Sequence, residues 1–211
     1  MTIIQRVFPK YSAAAAQATQ HAAQAAGFVK AAATAPNAGE RLDNAVRAAN
    51  SFDHAVEATR ELPLQRLVPH AGQYAAGYQA AKVVVGLIVR SGIVPGAATR
   101  VGRNEVAAAR DEFAAGIDRY RAANNSRYDR FRAINWISSA MEDAAQGVSM
   151  LHKDELSRPL MQGMRQTRTD MARDRDLSDA TIRTVQDLFT KATSAFDVLL
   201  AQAEATPGTP T

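Results

Sequence analysis

The sequence predicts an all-α fold, a helical bundle of five to seven helices, and three observations carry that prediction. Alanine supplies about a fifth of the 211 residues, and Ala both favours helix and lets neighbouring helices approach closely. Strand signals are scarce, with Ile3-Ile4 and Val83-Val84-Val85 the β-branched clusters of note. The third observation is a helical period from Asn104 to Lys153. Val106, Ala109, Phe113, Gly116, Tyr120, then Phe131, Ile134, Ser138, Met141, Ala145 and Val148 recur at steps of three and four, the seam of a helix that buries one narrow stripe.

The phase passes through Asn124 and Arg127 without a slip. Residues 104–153 therefore form either one long central helix of about fifty residues, roughly 75 Å at 1.5 Å per residue, or a helical hairpin broken at Ala123-Asn124-Asn125-Ser126. On a continuous helix Asn124 is a polar seam residue that fixes register. In a hairpin Asn124-Asn125 makes the turn and Ser126 caps the second helix, and this turn chemistry favours the break.

The other elements follow in order. Residues 1–11 read as a flexible apolar-basic arm ending near Pro9, residues 12–204 as a single bundle domain, and residues 205–211 as a disordered tail. Ser12 is the expected cap of a helix through about Thr34, with Gln17, Gln20 and Gln24 on one side and little bulk before Phe28-Val29. Pro36-Asn37-Ala38-Gly39 is a turn. The next helix, from Glu40 to Leu62, sets Leu42, Ala45, Ala49, Phe52 and Val56 on one face and ends at Pro63. Gln73 to Arg90 carries apolar residues all round, with Lys82 as the charge before Arg90, so it is expected to be the buried centre of the bundle. Gly77 and Gly86 are expected to admit close neighbours. The apolar run of 83–94 is too short for the roughly twenty residues a membrane span requires. Pro159 is expected to begin a helix with Leu160, Met161, Met164 and Met171 inward. In the last helix Ser178 is the cap, Asp179 sits at the positive end, Leu177 staples onto Ile182, and Ile182, Val185, Phe189, Ala192, Phe196, Leu199 and Ala203 form a heptad seam.

Chemistry is sparse by comparison. The chain has no cysteine, hence no disulfide and no thiolate site. His21, His54, His70 and His152 show no metal-ligand spacing, and no P-loop, GxSxG or GxGxxG is present. Adjacent acids such as Asp111-Glu112 diverge on a helix and share no substrate. Neither a catalytic residue nor a cofactor or small-molecule substrate is expected. The net charge is +4, with Arg mixed among Asp and Glu, a solvated surface rather than a dense cationic patch; nucleic acid is accordingly a poor candidate partner.

These features point to a non-enzymatic protein–protein interaction module, by self-association or with another protein. Phe189, Phe196, Leu199 and Leu200 of the last helix, with Trp136 just off the central seam, are the candidate protein interface. The alternative is a membrane-surface module in which Arg119, Arg121, Arg127, Arg130 and Arg132 meet anionic phospholipid. The start lacks the apolar stretch of a Sec signal, which leaves the bacterial cytoplasm or export by a signal-independent route. In size, start and heptad-rich C-terminus the chain is similar in general style to type III secreted filament and translocator proteins. That likeness implies an exported effector or a component of a secretion or virulence assembly; no motif specific to the family is present.

Overall fold

In the computed structural model the described residues are 9–60, 68, 70–123, 126–151, 154–174 and 178–205, without the side chains of residues 9, 10, 127, 128, 154, 168 and 171–174. Among them every regular element is a helix, as the composition predicts: α1 (Pro9–Thr34), α2 (Ala38–Arg60), α3 (Ala71–Arg90), α4 (Ala97–Ala122), α5 (Arg127–Ser149), α6 (Asp154–Asp174) and α7 (Asp179–Ala205). The chain gathers into two compact units, Met1–Val94 and Pro95–Thr211. The expected helix end at Leu62 and Pro63, the Leu177 staple and the tail from residue 206 lie outside the described residues.

In the first unit α2 is the middle helix, with α1 and α3 packed along it. Leu42, Ala45, Ala49 and Val56 of α2 are buried, as their spacing predicts, and Ala48, Ala55 and Thr59 widen that face. From α1 the buried set is Ala14, Ala15, Ala18, Ala25 and Ala32, which is almost a smooth wall. The bulk comes from aromatics. Tyr74 of α3 packs with Ala18, Ala55 and Val56, while Phe28, Phe52 and Tyr78 share the patch of Ala48, Ala49 and Ala81. Gly77 makes room for this, since a Cβ there would stand 2.6 Å from Phe52 Cε1; a Cβ on Gly86 would meet nothing closer than the end of Arg90 at 3.5 Å, so close approach is needed at only one of the two glycines.

Two expectations change here. α1 includes Pro9 and runs through Ser12 rather than being capped by it, since proline is tolerated in the first turn of a helix, where its missing N–H has no partner to lose. α3 is not the buried centre. It presents one face to the rest of its unit, through Tyr74, Ala81, Val85 and Val89, and leaves Val83, Val84 and Leu87 outward. Lys82 lies on the buried side, its Nζ donating to Tyr78 Oη at 3.0 Å. Local signals hold the ends: Glu40 N donates to Asn37 Oδ1 and Asn37 Nδ2 to Glu40 Oε1, a reciprocal cap. Glycines take the left-handed conformation at Gly92 (φ 67°) and Gly96 (φ 70°) in the turn after α3.

The second unit resolves the central question. Its organising stretch is a hairpin, α4 then α5, with Ser126 Oγ accepting from Asp129 N at 3.3 Å as the cap of α5. The seam of α4 is buried from Val106 through Tyr120. The two helices approach at glycines. A Cβ on Gly102 would stand 2.8 Å from Gly147 O, and one on Gly147 would stand 2.9 Å from Gly102 O. α6 lies against α5, where Gly163 faces Met141. α7 closes the unit: Phe189 stacks on Phe113 with ring centroids 4.0 Å apart, and Arg110 donates to Thr193 O at 2.9 Å and to Asp197 Oδ2 at 2.6 Å. Ser178 Oγ accepts from Thr181 N at 3.1 Å, the expected cap.

Two more positions depart from expectation. α6 begins at Asp154 and runs through Pro159 instead of starting there. The proline removes one N–H to Glu155 O near the helix end, a loss the helix accommodates because Leu160 and Met164, just beyond, are buried in the unit's core. Phe131 belongs to the seam by period but is 51% exposed. Arg130, one residue earlier, lies over the Tyr120 ring with its Cζ 5.7 Å from the centroid, and so covers the end of the seam.

Candidate interaction surfaces

The α7 seam divides. Phe189 and Phe196 are buried by their own unit, Phe189 within the main core and Phe196 against Val106 and Val148. They hold α7 in place and present no surface to a partner. Leu199 and Leu200 are half-buried, Leu200 packing beside Phe196. Past them Ala203 is exposed, while Glu204 pairs with Arg103 of α4. The seam that demanded a cover is thus covered within the chain over most of its length.

Trp136 is half-buried at the edge of α5, its Cβ lying along Gly116, and the guanidinium of Arg119 stands 4.0 Å above its ring. The candidate lipid-contacting arginines therefore differ among themselves. Arg119 is stacked on Trp136 and Arg130 on Tyr120, both cation–π arrangements. Arg132 is 3.9 Å from Asp129, and desolvation lowers its proton affinity without neutralising a guanidinium. Arg121 is exposed. The side chain of Arg127 is outside the described set. Near the α4–α5 turn Arg119 and Arg121 are exposed and Arg130 and Arg132 half-buried, with the exposed Phe131 between the last two in sequence.

The surface that period analysis misses is in the first unit. Among the described residues the exposed large apolar side chains are Val29, Val83, Val84, Leu87, Ile93, Phe131 and Val198. Five of the seven belong to Met1–Val94. Val83, Val84 and Leu87 lie at i, i+1 and i+4 on α3 and make one contiguous strip, with Val83 and Leu87 each 58% exposed. The strip was legible as apolar but not as outward, because the consecutive Val83, Val84 and Val85 give no sign of which face of the helix is which.

Elsewhere the chemistry is thin. His21 of α1 and His54 of α2 come together with ring centroids 5.4 Å apart, and His54 Nδ1 stands 3.1 Å from Glu57 Oε2. Among the described residues no three His, Asp or Glu side chains form a group able to hold a metal ion, and no helix is long and apolar enough to cross a membrane. Compared with protein-family models, curated proteins and solved structures, the chain matches none.

Proposed function

We propose that the chain is a non-enzymatic α-helical protein–protein interaction module whose docking face is the outer strip of α3. What supports this reading is the contiguous exposure of Val83, Val84 and Leu87 on a helix whose other face is already satisfied. An apolar strip of this kind on a water-facing helix is stabilised when another protein covers it, and the i, i+4 pair Val83 and Leu87 has one of the spacings by which a helix anchors in a groove. The partner is a second copy or another protein, in keeping with an exported bacterial effector or a component of a secretion or virulence assembly. The test is a pull-down combined with solution mass over a wide concentration range, using the wild type and a Val83→Glu, Leu87→Glu variant. Loss of the bound partner, or of self-association, at unchanged helicity supports the proposal. Equal binding by the variant, or a wild type that captures nothing and stays monomeric, removes it.

One observation favours a second reading. Phe131 is exposed between Arg130 and Arg132 near the α4–α5 turn, an aromatic flanked by cations that suits the headgroup region of an anionic bilayer. Vesicle flotation decides it. Salt-sensitive binding to phosphatidylserine vesicles that is lost in Phe131→Ser favours the membrane reading, and absence of binding at low salt excludes it.

A further inference from the structure

Between the helices of the first unit the packing is uneven. Toward one end aromatics fill the space: Tyr74 reaches Ala18 of α1, with its Oη 3.4 Å from Thr19 Oγ1, and Phe28, Phe52 and Tyr78 meet over Ala48 and Ala49. Further on, the facing residues are Val29, Ala32 and Ala33 from α1, Ala45 and Ala48 from α2, and Ala81 and Val84 from α3. These side chains are too short to bridge three helices, and they leave an open apolar groove of about 430 Å³, within the roughly 300–1,000 Å³ range of small-molecule sites. Its one charged lining residue is Arg41. Among the described residues no carboxylate stands within ion-pair distance of the Arg41 guanidinium. Glu40, beside it in sequence, accepts from Asn37 Nδ2 at 2.8 Å, and Asp43, two residues on, points to another side of α2.

We propose that this groove binds a single-chain aliphatic carboxylate, a medium-length fatty acid, with the chain along the alanine walls and the carboxylate at Arg41. Size and charge select this occupant. The lining spans residues 29–33, 41–48 and 81–84, which at ~1.5 Å per residue is about 5–10 Å of each helix axis. That length seats a compact ligand and is short for a partner helix. A lone guanidinium at the rim of an otherwise apolar groove complements one anionic head and no second charge. Val29, 48% exposed, and Val84 stand at the groove with apolar surface that such a chain would cover. The groove shares Val84 with the outer strip of α3, but Val83 and Leu87 do not line it.

The test is isothermal titration calorimetry of the full chain with decanoate, below its micellar concentration, against decyltrimethylammonium, which keeps the chain and inverts the head. The wild type is expected to bind decanoate saturably at one site and to bind the cationic probe about tenfold more weakly, the scale of one charge-assisted contact. Arg41→Gln is expected to abolish that preference while still binding. Ala33→Phe fills the groove from an exposed position and is expected to remove both; Val29→Asp, which sets a carboxylate in the apolar wall, is expected to weaken decanoate at unchanged helicity. Val83→Glu, Leu87→Glu is expected to leave decanoate binding intact, so failure of the interaction reading and failure of this one are distinguishable. No saturable decanoate binding by the wild type, binding undiminished in Ala33→Phe, or a charge preference that survives Arg41→Gln would each overturn the proposal.

Discussion

The two units are built from the same kind of helix with opposite kinds of interior. In Met1–Val94 the buried residues of α1 are all alanine, and the large groups that fill the space, such as Leu42 and Tyr74, are few. In Pro95–Thr211 the interior holds Phe113, Ile117, Ile134, Ile137, Met141, Leu160, Ile182 and Phe189, closed by α7. Apolar stabilisation scales with the area removed from water, about 25 cal/mol per Å². An alanine wall therefore contributes far less per turn than a seam of Phe, Ile and Leu. The contrast shows where apolar surface is left uncovered. The second unit has spent its large side chains on itself, while the first leaves a strip and a groove open.

Substitutions break or sharpen that contrast to different degrees. The largest effect is expected from Phe196→Ala. Its ring is 1% exposed and packs on Val106 and Val148, so the loss is about 3–5 kcal/mol of unfolding free energy, read by urea denaturation. Next comes a matched pair in which one side chain is enlarged in each unit. Gly102→Ala drives a Cβ toward Gly147 O at 2.8 Å, a backbone atom that cannot step aside, and is expected to cost about 1–3 kcal/mol. Ala33→Leu at the open groove is expected to change stability by no more than about 0.5 kcal/mol. Equal costs would mean that the two interiors are alike after all. Arg127→Pro is expected to cost less than about 1 kcal/mol because residue 127 is the first position of α5, where a continuous helix would lose about 3 kcal/mol or more. The smallest effect is at Ser138, whose buried Oγ has no hydrogen-bond partner among the described residues; Ser138→Ala is expected to be neutral or to stabilise by up to about 1 kcal/mol.

How much of this was legible in the sequence follows the same division. Periodicity reads burial well where bulky and polar residues alternate, so the α4 seam, the α2 face and the α7 seam through Phe196 all lie where their spacing places them. Two of the three expected serine caps were legible too, because Ser126 and Ser178 each act through one short hydrogen bond to their own helix, whereas α1 runs on through Ser12. The α3 strip was not, because Val83-Val84-Val85 gives a helix no polar side from which to infer the outward face. The groove was invisible for a different reason: it is the absence of bulk on three helices at one level, and Ala32, Ala45 and Ala81 come together only through the tertiary packing. Phe189 and Phe196 were legible as residues needing cover, but whether that cover is internal depends on how α4, α5 and α7 meet.

The first unit is thus the lightly packed, open one and the second the closed scaffold. Native-state hydrogen exchange on the full chain, followed by mass spectrometry, tests it most directly, since amide protection reports the free energy of local opening. Amides of α1, α2 and α3 are expected to exchange through openings of distinctly lower free energy than those of α4, α5 and α7. Uniform protection across both units, or slower exchange in the first, would contradict it.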